Sequence, residues 1–173
     1  MHIYDDATAI GEILHSRGLL DDVGLLKLQD ATVYIQDRLS QERAKQARQS
    51  VPQAHRTTAV EIIAQMKFSG PRGIVNEPLI VEAIANEMGH PFMRLQALDL
   101  DPEFVTRLLP QKFADRFLLL PVREANGRLQ VAMFDPSQRE VLEDVSRVTG
   151  KQLDVVIAPK SDIVKIILEF HGF

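Results

Sequence analysis

The 173-residue sequence predicts an α+β protein: an N-terminal helical unit followed by a small mixed-sheet α/β sandwich with helices packed on it. Three observations predict this class. Residues 1–89 carry apolar side chains at helical spacing. Two apolar runs then flank Asn126-Gly127, the pattern of a tight hairpin whose turn residues need positive φ. From Pro91 onward, strand patterns and helix patterns are interspersed, as in a sheet covered by helices. The predicted boundaries are 1–50 for the N-terminal helical unit, 51–89 for a linker and second helical pair, and 90–173 for the α/β domain.

The composition is that of an ordinary globular protein, and it limits the functions available. The formal net charge of −4 argues against nucleic-acid binding, because phosphate contacts need a basic excess. Without cysteine the chain has no disulfide and no thiolate metal site, which fits a reducing compartment. No apolar run approaches the ~20 residues of a membrane span, and the acidic N-terminus is unlike a signal peptide. We therefore expect a cytoplasmic protein that reaches a membrane only through a partner.

The N-terminal helical unit begins with a helix at 7–17 that Gly18 ends. Asp21 and Asp22 are placed to cap a second helix. We expect that helix to be long, because neither Gly nor Pro occurs from Leu25 to Ser50. Residues 36–56 are rich in Gln, Arg and Lys, which predicts a solvated extension that frays into a linker. A basic strip for acidic lipid headgroups or an acidic partner is the alternative.

A second helical pair resembles the first. A helix at 57–68, a loop at 69–73 and a helix that Asn76 caps and Gly89 ends give the same order of elements. The pentapeptide GIVNE at 73–77 also matches GLLDD at 18–22. In each, a glycine ends a helix, two aliphatic residues cross over, and a capping residue starts the next helix. We interpret the pairs as diverged copies of one unit, with generic helix-turn-helix signals as the alternative.

The α/β domain is expected to consist of short elements separated by Pro, Gly and Asp. Asp135-Pro136 is predicted to open a helix that buries Val141, Leu142, Val145 and Val148. The remaining predicted elements are a strand at 91–95, helices starting at Asp101 and Pro110, strands at 117–122 and 129–134, a helix end at Gly150, a strand at 153–157 buried on both faces, and a last helix from Ser161-Asp162 to Gly172.

Residues arranged for chemistry are absent from the sequence. Neither a P-loop nor a G-x-G-x-x-G pattern occurs, and the few glycines stand mainly at helix ends. The five histidines are scattered without metal-ligand spacing. Asp99 and Asp101 lie close together, but Asp101-Pro102 is typical of a helix cap. The sequence therefore predicts no catalytic residue, no metal site and no resident cofactor.

From about Ile74 to Gly172 the chain resembles the N-terminal domain of the ATPases that drive type II secretion and type IV pilus assembly, the GspE/PilB family. The resemblance depends on many short elements in the same order. These are Ile84-Ala85, Gly89-His90-Pro91-Phe92, Leu100-Asp101-Pro102, Leu109-Pro110, Leu120-Pro121-Val122, Leu129-Gln130-Val131-Ala132, Asp135-Pro136, Thr149-Gly150 and the closing helix from Ile163.

The resemblance implies a non-catalytic docking and regulatory domain. Such a domain would bind the cytoplasmic domain of an inner-membrane platform protein and work with an ATPase core in cis or in trans. We expect the contact surface on the first helical unit, because it is the part least needed to build the α/β core. The predicted partner-binding residues are Ile10, Leu14, Leu25, Leu28, Ile35 and Leu39.

The first helical pair also resembles the MshEN-type motif, which binds cyclic di-GMP in some relatives. The motif's arginine position is Ala9 here, its second leucine position is Gln29, and its final glutamine position is Thr32. Losing the arginine removes a charge-assisted contact to the nucleotide. A cyclic di-GMP sensor is therefore the alternative function, with helix packing and capping as the structural explanation of the glycines. Its candidate nucleotide-binding residues are Ile10, Gly11, Leu14, Gly18, Leu19, Leu20 and Leu25.

Overall fold

The computed structural model describes residues 2–171, which form two compact units. Unit 1 contains residues up to 51 together with 56–89, and unit 2 contains 52–55 together with 90 onward. The segments 1–50 and 51–89, which the sequence separated, thus lie largely in the same unit. Side-chain bonds join them: Gln46 accepts from the Thr57 N–H at 2.9 Å, and the Arg43 Nε donates to the Thr57 carbonyl at 2.9 Å.

Unit 1 is helical apart from one small hairpin. Helix α1 packs on α2 and α5, α3 packs on α4, and α4 packs on α5. The core between them is aliphatic, with Leu14, Ile63 and Ile84 fully buried. The elements are a 3₁₀ turn at Ile3–Asp5, α1 (Ala7–Ser16), α2 (Asp22–Asp30), α3 (Thr32–Arg48), α4 (Ala59–Met66), β1 (Ser69–Gly70), β2 (Gly73–Ile74) and α5 (Glu77–Glu87).

The predicted long second helix is divided at Ala31. The Ala31 N–H is shared between the carbonyls of Lys27 and Leu28, at 3.1 and 3.0 Å. The Thr32 hydroxyl also donates to the Leu28 carbonyl, at 3.2 Å. A hydroxyl that competes for backbone carbonyls in this way disturbs a helix without the help of Gly or Pro.

The segment 69–73, predicted to be a loop, contains part of a small hairpin in which β1 and β2 pair as antiparallel strands.

The two helix junctions of unit 1 share their backbone geometry. Gly18 and Gly73 both have positive φ, at 75° and 105°. Asp21 and Asn76 then cap α2 and α5, and each side chain accepts from the backbone N–H three residues further on. The aliphatic residue before each cap is buried. The two junctions thus use the same sequence of a positive-φ glycine, a buried aliphatic residue and a capping side chain.

Unit 2 is built on a mixed three-stranded sheet of order β3-β4-β5, which confirms the predicted α+β class. Strands β3 and β4 are antiparallel, and β4 and β5 are parallel. Asn126 and Gly127 turn the hairpin with φ of 55° and 75°. The elements are a 3₁₀ turn at Gln53–His55, a second at Ala97–Asp99, α6 (Pro102–Arg107), α7 (Gln111–Phe117), β3 (Leu119–Ala125), β4 (Arg128–Met133), α8 (Arg139–Thr149), β5 (Gln152–Ile157) and α9 (Lys160–His171).

Helix α8 ends at Gly150 as predicted, but its start and one of its predicted inward-facing residues differ. Asp135 does not cap it, because its carboxylate accepts from the Ser137 N–H at 3.0 Å and from the Ser137 hydroxyl at 2.7 Å. This local turn delays the helix until Arg139. Val148, predicted to face inward, is 69% exposed, whereas Val145 is fully buried.

The edges of the sheet also differ from their predictions. Strand β5 is buried only toward its end, so its first residues are not covered on both faces. The predicted strand at 91–95 is reduced to a parallel bridge between Phe92 and Ile157. Asp162 points inward and binds Arg94 through two hydrogen bonds, so it anchors α9 to the chain after that bridge. The predicted helix end at Gly172 lies outside the described residues.

Candidate functional site

The stripe predicted to bind a partner forms the inner face of unit 1. A buried side chain has no surface to offer, so these residues hold α1, α2 and α3 together instead of meeting a partner directly. The choice of residues is therefore revised, while the docking function stays a prediction. Five members are buried and the third is half-buried: Ile10, Leu14, Leu25, Leu28, Ile35 and Leu39.

The predicted nucleotide-binding residues occupy the same interior. Ile10, Leu14, Leu19 and Leu20 are buried, and Leu25 is half-buried. They pack α1 against α2 and support the connection between the two helices.

The two glycines of this set have structural roles. A Cβ added at Gly11 would lie 2.9 Å from Leu28 Cδ2 and 3.5 Å from Leu25 Cδ1, so Gly11 allows α1 to approach α2 closely. Gly18 is exposed and ends α1, after which the Leu19 N–H returns to the Leu14 carbonyl at 2.8 Å. Close packing and helix ending account for both positions.

The β1–β2 hairpin lies directly against the first helix junction. A Cβ added at Gly70 would fall 1.9 Å from the carbonyl oxygen of Leu19. The motif's polar positions offer little beside it: the Thr32 hydroxyl is bonded to the Leu28 carbonyl, and Gln29 faces solvent. In this conformation the junction is thus occupied by the protein's own backbone.

The opposite side of α2 and α3 exposes a second set of apolar residues. Val23 and Leu26 on α2 are 59% and 60% exposed, and Val33 and Tyr34 on α3 are 73% and 56% exposed. We call these four side chains the outer face. One residue, Ala31, separates the two helices, with φ of −89° and ψ of −3°, so the two exposed pairs lie close together along the chain. Sequence reasoning missed this face because the stronger periodic stripe, the one sought, is the core.

Charged pairs on the sheet of unit 2 support its register. Arg128 on β4 and Asp154 on β5 form an ion pair at 2.8 Å. The hydrogen bond from Arg128 lowers the pKa of the Asp154 carboxyl below its usual range, and the same bond raises the pKa of Arg128. Both side chains lie at the surface, so the pair joins neighbouring strands without forming an enclosed site.

Metal binding and membrane crossing can be assessed for residues 2–171 from their side chains and helix lengths. Within that range, no cluster of three His, Cys, Asp or Glu side chains is placed to hold a metal ion. The described helices are also too short or too polar for any of them to cross a membrane.

Comparison with known proteins shows a family match in the C-terminal half of the chain. Residues 88–172 match the MshEN domain. The chain is 28% identical over 100 residues to the type IV pilus assembly ATPase PilB of Myxococcus xanthus. It is 30% identical over 106 residues to the type II secretion system protein E of Xanthomonas campestris pv. campestris. These matches take in 58% and 60% of this chain but 18% and 19% of the relatives, so the chain spans about a fifth of their length.

A solved structure extends the likeness to both units. The structure of MshE with cdg, which denotes cyclic di-GMP, covers 93% of this chain and is itself covered to 97%, with a TM-score of 0.57. At 18% identity this likeness shows a shared fold.

The mixed sheet with its helices and the preceding helical unit thus define the class: an N-terminal domain of the kind that secretion and pilus ATPases carry, distinct from their catalytic core. Residues 88–172 match the MshEN domain and the relatives are pilus and secretion ATPases, which confirms the resemblance seen in the sequence. The matched segment begins at the last two residues of unit 1 and includes the whole sheet of unit 2. The motif-like residues around Gly11 and Gly18 lie outside it.

Proposed function

We propose that the chain is a non-catalytic docking and regulatory domain of a type II secretion or type IV pilus assembly ATPase. It would bind the cytoplasmic domain of the inner-membrane platform protein and act with an ATPase core in cis or in trans. The protein would be cytoplasmic and recruited to the inner membrane through this partner.

The outer face is the observation that carries the proposal. Four large apolar side chains stand in solvent on adjoining helix surfaces, and a grouped apolar surface of this kind marks an interaction site. The relatives are named as ATPases of the pilus and secretion machines, which supports the identity of the machine. The sequence itself has no P-loop, which supports a binding role.

A matched pair of valine variants tests the docking role. Val33→Asp places a charge on the outer face, whereas Val148→Asp makes the same change at an equally exposed valine of unit 2. We expect Val33→Asp to weaken binding of the platform protein's cytoplasmic domain by about tenfold or more, as for a central interface residue. Val148→Asp should bind as the wild type does. Equal binding by the two variants would reject the outer face, and no binding by the wild type would reject docking.

Point variants are preferable to removal of residues 1–50. The deleted segment would include α1, α2 and α3, which cover the buried Ile63, Ile80 and Ile84 of the same unit. A truncated chain would expose this core, so lost binding would not distinguish a missing contact from a misfolded unit.

Cyclic di-GMP sensing is the second candidate, supported by the fold shared with MshE, whose structure was solved with this nucleotide. Calorimetric titration together with thermal melts decides it, since a ligand at a hundred times its Kd stabilises the native state by about 2.7 kcal/mol. The Ala9→Arg variant restores the arginine position of the motif. Absence of heat and of stabilisation in the wild type would exclude sensing, and binding gained by the variant would identify the missing arginine as the cause.

A further inference from the structure

We propose that the outer face binds a basic amphipathic helix of its partner. This inference depends on the proposed docking function and adds the chemistry of the docked segment. The evidence is the position of carboxylates within the apolar surface. Asp30 follows Leu26 by four residues, and Asp37 follows Val33 by four, so each acid lies on the same side of its helix as an exposed apolar residue.

The carboxylates of the outer face are available to a partner. Asp30 and Asp37 are exposed, and neither forms an ion pair with any part of residues 2–171. Asp22 is not counted with them, because it is turned about 100° from Val23 and its carboxylate bonds His15 Nε2 at 2.7 Å.

The neighbouring cations lie to one side of this surface. Lys27 follows Val23 by four residues and Arg38 follows Tyr34 by four, which puts each cation about 40° beyond an apolar residue, at the edge of the face. Asp30 and Asp37 instead fall between the two apolar residues of their own helix. The centre of the outer face is therefore apolar and negative, while its flank carries the positive charges. A partner segment with apolar and basic residues on one side would complement that centre.

The same charges disfavour the other occupants of an apolar face. An anionic membrane surface would repel the carboxylates that lie among the apolar side chains. A second copy bound with its two-fold axis at the centre of the face would bring the carboxylates of Asp30 and Asp37 close to their own copies, so like charges would meet. The exposed residues lie on two consecutive helices, and an amphipathic helix is a common ligand of an apolar surface of this kind.

The tyrosines of the chain provide a specific readout. The chain has two tyrosines and no tryptophan. Tyr4 is 2% exposed, whereas Tyr34 belongs to the outer face. A probe without aromatic residues that covers the outer face should therefore change the tyrosine fluorescence through Tyr34.

The experiment titrates the full chain with two synthetic helical peptides of about 18 residues, or five turns. Both carry leucine on one side, and they differ in having lysine or glutamate beside it. We expect the lysine peptide to bind at least about tenfold more tightly than the glutamate peptide, with a change in tyrosine fluorescence. Equal affinity for the two peptides would overturn the inference.

Two double variants separate local charge from net charge. Asp30→Lys with Asp37→Lys acts on the outer face, and Glu12→Lys with Glu82→Lys acts at exposed positions on α1 and α5. Each substitution adds two charges, so both double variants change the net charge from −4 to 0. The first should lose about tenfold in affinity for the lysine peptide, and the second should lose much less. An equal loss in both would mean attraction to the whole chain and would overturn the inference.

Further arms test the other occupants. Binding to phosphatidylglycerol vesicles through Val33, or dimerisation that Val33→Asp abolishes, would each overturn the basic-helix assignment. Binding measurements with the platform protein's cytoplasmic domain distinguish failure of the basic-helix inference from failure of the docking function. If its cytoplasmic domain binds the Asp30→Lys, Asp37→Lys variant normally but not Val33→Asp, docking stands and the basic helix is wrong. If the wild type fails to bind that domain, docking is wrong, and the peptides alone decide the chemistry of the face.

Discussion

Replacing Gly70 with alanine tests whether the hairpin of unit 1 lies as closely on the first helix junction as the structure shows. The added Cβ would fall 1.9 Å from the carbonyl oxygen of Leu19 and 3.0 Å from its carbon. A carbon and a carbonyl oxygen approach no closer than about 3.3 Å in ordinary contacts. The hairpin and the junction would thus have to separate by more than 1 Å, roughly, at their nearest point.

The cost should be large for a single methyl group. The atom in the way belongs to the backbone, and Leu19 is itself buried and bonded to the Leu14 carbonyl, so no side-chain rotation relieves the overlap. Overpacking typically costs 1–3 kcal/mol, and we expect about 2–3 kcal/mol here. For a unit of this size that loss lowers the melting temperature by roughly 10–20 °C.

Tyrosine fluorescence measures this effect in unit 1 alone, because Tyr4 and Tyr34 both belong to it and the chain has no tryptophan. Gly89→Ala is the matched control. Gly89 lies in the same unit with φ of 76° and no atom within 4 Å of an added Cβ, so its alanine variant loses only about 1 kcal/mol of stability, through backbone strain. Gly70→Ala melting no lower than Gly89→Ala would refute the close contact.

Three further variants test the packing of α1, the anchor of α9 and the ion pair of the sheet. Gly11→Ala should change the stability of unit 1 by less than about 1 kcal/mol, because higher helix propensity offsets crowding by the end of the Leu28 side chain; a loss as large as that of Gly70→Ala in tyrosine-detected melts would contradict this. Asp162→Ala should destabilise unit 2 by roughly 2 kcal/mol in urea denaturation followed by circular dichroism, because a largely buried carboxylate and a backbone N–H bonded to it lose their contact; stability within ~0.5 kcal/mol of the wild type would count against that role. Asp154→Asn should be less stable than the wild type at neutral pH, and the difference in stability should vanish as the pH falls through the lowered pKa of Asp154. The reason is that a depressed carboxyl pKa gives stability above the unfolded pKa of about 3.9, and this stability is lost when the folded carboxylate is protonated. An NMR titration of Asp154 with a midpoint at the ordinary pKa would refute the contact with Arg128.

Local signals predicted most of the elements because their causes are local. The Asn126-Gly127 turn, the Asp21 cap and the helix end at Gly150 depend on the conformational preferences of one or two residues. The errors came from competition that residue types alone do not reveal. The Thr32 hydroxyl interrupts a helix without Gly or Pro, and Ser137 draws Asp135 into a turn before α8 can begin.

The location of the candidate site could not be predicted in the same way. Helical spacing identifies the best apolar stripe, and in a small helical unit the best stripe is the core. Ile10 and Leu28 therefore matched the pattern of a binding surface while serving the interior. The informative signal was a second, weaker apolar set, which is recognisable as exposed only after the packing of α1 on α2 is known.

The family match and the candidate binding surface lie in different units: the match is mainly in unit 2, and the outer face is in unit 1. The family match at 88–172 depends on strands and helix ends whose side chains build the sheet, such as the buried Leu120 and Val131. Residues of that kind define a scaffold, and a scaffold can carry different functions. The outer face precedes the matched segment, so the family match neither requires nor excludes it. Binding by this chain must therefore be decided at Val33 and its neighbours, where a single charge can abolish a contact while leaving the family fold intact.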